Sequence, residues 1–235
     1  MTDVASLRSQ IKVLSFDLYG TVVDMQGGLV AFVTPFLQAK GWRGRPDQFV
    51  TWWRRTHFEN SMIDALCDSG HTPYREISRR AVSYTMDRAG IAYDDAEARM
   101  LVAAIERLPA FPEVPAALAR LATRYRLAIL SNGDRDMLEV AKPYLGHAFA
   151  CTISVQEAAC FKPHRRSYAT AARILEVTPH EVLHVANHAF DCIGATAAGM
   201  RAAFIDRRGR PYGQTPHQAA ITVTSMSALA DALLA

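Results

Sequence analysis

Residues Ser15–Asp24 read SFDLYGTVVD and complete an apolar run, IKVLSF, that starts at Ile11. The run ends in a carboxylate, Asp17, and a Gly20–Thr21 turn follows at once. A short apolar run bounded by a turn predicts a strand buried on both faces. Such a strand presents its last polar residue at its carboxyl end, where open α/β sheets bind their ligands. Chains that handle phosphate at such a turn usually carry a second carboxylate two residues later. Here Tyr19 holds that place, so the question is which chemistry works with one Asp and a tyrosine.

Five more runs share the strand pattern: YRLAIL from Tyr125, ACTISV from Ala150, EVLHVAN from Glu181, RAAFID from Arg201 and AITVTS from Ala220. Amphipathic segments lie between them. VPAALARLATR (114–124) leads into the second strand and HRRSYATAARILEV (164–177) into the fourth. DCIGATAAGM (191–200) leads into the fifth, with Gly199 as a helix stop. Strands alternating with helices predict βαβ units, and so an α/β fold with a Rossmann-like parallel sheet. The rhythm breaks between Asp24 and about Leu108. There LVAFVTPFLQAKG, PDQFVTWWRRTHFENSMIDAL, YREISRRAVSYTMDRAG and DDAEARMLVAAIERL repeat apolar residues at three- and four-residue steps. The expected organisation is a catalytic core of residues 1–24 and 109–235 with an inserted all-helical cap of residues 25–108. No low-complexity linker or internal repeat separates them. A cap over the strand ends would exclude water from what sits there.

Composition narrows the function. The chain has 235 residues, half of them hydrophobic and 21% charged in mixed order, as in a globular protein. A net charge of +3 suits a small anionic substrate and is not the dense basic patch of a nucleic-acid binder. No apolar run approaches the ~20 residues of a membrane span, and MTDVASLRSQ lacks a basic-then-apolar signal pattern. The expectation is a cytoplasmic protein without membrane or nucleic-acid partners. Cys67, Cys151, Cys160 and Cys192 lie in no C-x-x-C or zinc-like register and read as small buried thiols.

The polar residues after the strands converge. Asp17 and Thr21 follow the first, Ser131-Asn132-Gly133 the second, Lys162-Pro163 the third, and Asn187-His188 with Asp191 the fourth. Each has a common structural explanation as a cap or turn. Four such strand ends together are hard to explain by capping alone.

In the order FDLYGT, LSNG, KP and D, the chain resembles the haloacid dehalogenase superfamily, and within it the L-2-haloacid dehalogenases. The resemblance runs from about Lys12 to the C-terminus. Its specific elements are FDLYGT, AILSNG, the Lys162-to-Tyr168 spacing in KPHRRSY, and WRR in the cap. It implies a Rossmann-like core with a helical cap, and hydrolysis of (S)-2-haloacids to (R)-2-hydroxyacids through an ester on Asp17. Lys162 would keep Asp17 ionised and offset its repulsion from Asp191. Asp191 would orient or deprotonate the hydrolytic water. Ser131, Asn132 and Thr21 would hold the substrate, and Arg54 would receive the halide. Arg55 adjoins Arg54, and one of the two could be merely a surface charge. Tyr74 and Tyr168 match pocket aromatics of the family, with core packing an equal alternative. Family members are commonly homodimers.

The resemblance gives Tyr19 a meaning. Superfamily phosphatases use a second Asp to protonate an alkoxide, whereas a halide leaves without a proton. Phosphate chemistry there also needs magnesium and a further Asp in the fourth motif. Asn187 stands at that place, so Tyr19 and Asn187 together imply a metal-independent reaction with no cofactor. The chain departs from the family where Ala186, His188 and Phe190 replace Ser, Asn and Trp. The charge of His188 would vary near neutral pH, and Phe190 lacks an indole donor. Three alternatives stay open: ring-opening of another small carboxylate, a phosphatase with an eroded magnesium site, and a non-enzymatic descendant.

Overall fold

The computed structural model describes residues 4–67 and 70–235. Each expected run contains a strand: β1 Val13–Phe16, β2 Arg126–Ser131, β3 Cys151–Ser154, β4 Val182–Ala186, β5 Arg201–Ile205 and β6 Ile221–Val223. They form one parallel sheet in the order β3-β2-β1-β4-β5-β6. The chain winds outward from β1 through β2 and β3, then returns to the other flank of β1 with β4. The carboxyl ends of β1 and β4 therefore border the point where the winding reverses, the usual ligand crevice of such sheets. Every residue of β1 and β4 is buried, as expected for strands covered on both faces.

Helix α1, Val4–Gln10, precedes β1. Between β1 and β2 come α2 Met25–Ala39, α3 Pro46–Cys67, α4 Tyr74–Ala89, α5 Asp95–Ala103 and a 3-10 turn at Ala104–Arg107. Local chemistry sets their ends. Asp24 caps α2 by accepting from the N–H of Gly27 at 2.9 Å. Asp94 and Glu97 form a reciprocal capping box on α5. Gly90 ends α4 with a left-handed φ of +67°. Phe49 and Trp53 on α3 and Ile77, Ala81 and Val82 on α4 are buried where the two helices pack. Each large side chain so buried contributes roughly 1.5–3 kcal/mol. The insert departs and returns side by side: Asp24 N–H donates to Pro109 at 3.1 Å and Phe111 N–H to Val22 at 3.0 Å.

The remaining helices are α6 Val114–Leu121, α7 Arg135–Ala141, α8 Arg165–Ile174, α9 Ala189–Ala197 and α10 Met226–Leu234. Helix α9 starts two residues before the DCIGATAAGM pattern, and Gly199 lies just beyond its end with φ +93°. Sequence periodicity had not singled out α1, α7 or α10. No helix among the described residues is long and apolar enough to cross a membrane.

One contact ties the inserted helices to the sheet. Helix α4 begins after Pro73, which has no side-chain cap to offer. Its first amides are capped across the fold by Asp134, which accepts from Tyr74 N–H at 2.8 Å and Arg75 N–H at 3.0 Å. Arg75 then pairs with Glu106 and Asp136. Asp134 is itself buried, so Asp134→Ala leaves two amides unsatisfied. The expected loss is about 1–3 kcal/mol of stability, measured by urea denaturation.

Candidate active site

The site is built at the ends of β1 and β4. Asp17 follows β1 directly and is 7% exposed. Its Oδ2 accepts from the Thr21 hydroxyl at 2.7 Å, and its Oδ1 accepts from Lys162 Nζ at 2.9 Å. Thr21 also accepts from Asn187 N–H at 2.9 Å, and the Asn187 amide donates to the Gly20 carbonyl at 2.9 Å. Thr21 and Asn187 thus lock the turn after β1 to the end of β4.

Lys162 is fully buried and uses all three of its N–H bonds. Besides Asp17 it donates to the Leu130 carbonyl at 3.0 Å and to Asp191 Oδ2 at 2.6 Å. An ammonium so far from water is tolerable only when paired and hydrogen-bonded. Burial lowers its pKa, but the charges of Asp17 and Asp191 outweigh that and leave it raised. The partners mirror this. Burial pushes the Asp17 carboxyl up, yet Lys162 and the nearby His188 leave it lowered. For Asp191 burial is opposed by His184 and Lys162, and its carboxyl is held well below the usual range. Both carboxylates are ionised at neutral pH.

Asp191 stands behind Asp17, fully buried in the first turn of α9. Its Oδ1 accepts from the Tyr168 hydroxyl at 2.6 Å and lies 3.0 Å from His184 Nε2. Tyr168 is fully buried, and its hydroxyl is placed to hold Asp191. Burial and the adjoining Asp191 raise the Tyr168 pKa far above its ordinary value, so it stays a donor. His184 was not singled out from the sequence. It is buried in β4, directly beside Ser15 of β1 in the sheet register, with Nδ1 3.2 Å from the Ser15 hydroxyl. A histidine and a serine inside apolar strand runs are the signal that marks this pair, because a buried polar group requires a partner.

The loop after β2 supports the site from the other side. Asn132 Oδ1 accepts from Lys162 N–H at 2.9 Å, and the buried Ser131 hydroxyl accepts from Gly133 N–H at 3.1 Å. Facing the sheet, α3 supplies a cation. Arg54 is partly buried and bonds Gln26 at 2.8 Å, whereas Arg55 is exposed and pairs with Glu59. Burial and the neighbouring Arg208 lower the Arg54 pKa to about 10, still charged at neutral pH. A Cβ placed on Gly20 would lie 3.5 Å from Arg54 Nη2 and 3.0 Å from His188 Cε1, so both groups close over that turn. His188 Nδ1 is 3.7 Å from Asp17 Oδ2.

Aromatic rings wall the space. Tyr19 stacks on Tyr74 with centroids 5.5 Å apart, and His57 tilts against Tyr74 at 4.1 Å. Burial and then Arg54 lower the His57 pKa to about 3, so that imidazole is neutral. Phe190 meets Phe58 of α3 at 4.3 Å and His188 at 5.5 Å. The Tyr19 hydroxyl lies beside Gly133, and its ring forms a wall with Tyr74. The arrangement is a desolvated, ionised carboxylate held by a fixed ammonium, with a guanidinium close by over the Gly20 turn. That geometry suits attack on an electrophilic carbon whose leaving group departs as an anion.

Comparison with known proteins agrees with this chemistry. Residues 11–199 match the profile of haloacid dehalogenase-like hydrolases. An (S)-2-haloacid dehalogenase of Xanthobacter autotrophicus is 37% identical over 84% of this chain and 76% of its own length. Haloacetate dehalogenase H-2 of Moraxella sp. (strain B) is 30% identical over 94% and 96%. Among solved structures, the L-2-haloacid dehalogenase of X. autotrophicus with chloropropionic acid covalently bound superposes with a TM-score of 0.82. It is 28% identical, with 94% of this chain and 97% of that one covered.

Proposed function

Because this chain belongs to the haloacid dehalogenase-like hydrolases, we propose that it is an (S)-2-haloacid dehalogenase that makes (R)-2-hydroxyacids through an ester on Asp17. The observation that carries this reading is the ionised Asp17 carboxylate, aligned by Lys162 and Thr21, with Arg54 across the site. An Asp17 oxygen attacks the substrate carbon in line with the carbon–halogen bond and inverts it. Positioning supplies much of the rate, since attacking and leaving groups are held at fixed separation. Arg54 receives the departing halide, and a fixed cation aimed at a developing anion in a water-poor site contributes several kcal/mol. Ser131 and Asn132 hold the substrate carboxylate, and Tyr19, Tyr74 and Phe190 limit the size of its side chain.

Residues 25–108 serve in this reading as the cap and residues 1–24 and 109–235 as the core. The paired strands of chain at Val22–Asp24 and Pro109–Phe111 support that division. The reaction uses no metal: Lys162 supplies the positive charge between Asp17 and Asp191, and a halide needs no proton to leave. The same reading takes the enzyme as a cytoplasmic homodimer.

Incubation with (S)-2-chloropropionate in EDTA is expected to release chloride and form (R)-lactate at the rate seen without chelator. Absence of halide from chloro-, bromo- and fluoro-acids alike would reject the assignment. Cleavage of an aryl phosphate that EDTA abolishes would put a phosphatase in its place.

A further inference from the structure

Hydrolysis of the ester needs a base for the attacking water, and the carboxylate at hand is poorly placed to be one. Asp191 is wholly buried, with Oδ2 taken by Lys162 and Oδ1 by Tyr168 and His184. Its depressed pKa also makes it a weak proton acceptor. This geometry suits a fixed charge that holds Lys162 in place.

His188 is placed differently. It begins α9 at the end of β4, its side chain is 25% exposed, and Nδ1 lies 3.7 Å from Asp17 Oδ2. Hydrogen bonds of catalytic groups are often this long before substrate binds. Gly20, at φ +96°, leaves the ring space: an added Cβ would meet Cε1 at 3.0 Å and Nε2 at 3.5 Å. Phe190, backed by Phe58, braces the ring on its apolar side. The charged groups around it are Asp17 from the end of β1 and Arg54 from α3. Arg208 stands behind Arg54, and Lys162 and Asp191 stand behind Asp17.

Resting on the ester mechanism above, we propose that His188 is the general base and then the general acid of the hydrolytic half-reaction. Oδ2 is the ester oxygen, and Lys162 remains on Oδ1. His188 takes a proton from water as the water oxygen bonds to Asp17 Cγ, and the carbonyl electron pair moves onto Oδ1 beside Lys162. The pair then returns, a carbon–oxygen bond of the tetrahedral centre breaks, and the 2-hydroxyacid departs as an alkoxide. The bond that breaks joins Cγ to Oδ2, so the product carries the original Asp17 oxygen and Asp17 keeps the water oxygen. The alkoxide takes the proton back from the His188 imidazolium. The carboxylic acid left on Asp17 ionises to solvent.

The test is rapid-quench kinetics of the whole enzyme with (S)-2-chloropropionate, following chloride and protein-bound ester separately. For His188→Gln and His188→Asn the chloride burst is expected within about threefold of wild type. Ester hydrolysis is expected to slow about 100-fold or more, with ester accumulating on Asp17. In the wild type, ester hydrolysis should slow on acidification, and both variants should lack that acid limb. Unchanged turnover and an unchanged acid limb in the variants would overturn the role. Should neither variant fold, the wild type decides: an acid limb in ester breakdown supports it, and its absence overturns it. A wild type that releases no chloride at all would instead refute the dehalogenase assignment itself.

Discussion

Replacing Lys162 with methionine is expected to cost about 3–5 kcal/mol of stability at pH 7 and to abolish turnover. The size follows from what the ammonium holds apart. Asp17 and Asp191 are both buried and both pair with it, at 2.9 and 2.6 Å. Removing one member of a buried ionic set leaves an uncompensated charge, which costs about this much. Here two carboxylates would be left, and one would take a proton. The pH dependence separates this from a packing loss. In the wild type the folded pKa values of Asp17 and Asp191 lie below the ordinary 3.8. Their stabilisation is therefore complete above 3.8 and is lost as pH falls through the folded values. Lys162 is raised above 10.5, so its contribution is complete below 10.5 and is lost as pH climbs through the folded value. Without the lysine the carboxylates rise above 3.8, so the stability gap between variant and wild type should narrow on acidification. A Lys162→Met, Asp191→Asn double variant should recover part of the loss. Urea denaturation at pH 4 and pH 7 measures both effects, and a gap independent of pH would count against the electrostatic account.

Asp17→Asn is the second large effect, and it should separate activity from folding. An amide keeps a carbonyl oxygen on the Oδ1 side for Lys162 and turns its NH2 toward the Thr21 hydroxyl, but it is no nucleophile for an alkyl carbon. Lys162 also retains Asp191 and the Leu130 carbonyl. Stability should change by only about 1 kcal/mol, while turnover falls by roughly 10,000-fold or more, as for other nucleophile deletions. Near-UV circular dichroism with a chloride-release assay checks the pair. Retained turnover would indicate direct attack by water.

Strand ends made much of this site legible. Asp17, Lys162, Asn187 and Asp191 each follow an apolar run, and parallel strands bring such ends to one rim. The Tyr19–Asn187 pattern likewise followed from residue identity. What sequence periodicity missed depends on contacts between distant segments. Asp134 caps the first turn of α4 some sixty residues away, which no local pattern encodes. Adjacent residues on a helix point about 100° apart, so Arg54 and Arg55 diverge, and only the placement of α3 over the sheet selects Arg54. His184 and Ser15 were hidden because each interrupts an otherwise apolar strand, and only the register of β1 beside β4 makes them neighbours. The spacing of Tyr168 from Lys162 fits both a pocket and the core, and its bond to Asp191 joins segments that no local pattern relates.

The central claim is that Asp17 forms a bond to the substrate carbon. A single turnover with excess enzyme in heavy-oxygen water, followed by mass analysis of the peptide carrying Asp17, tests it most directly. The ester route places the label on the Asp17 carboxylate and leaves the hydroxyl of the product unlabelled. Label in the hydroxyacid with none on Asp17 would contradict it.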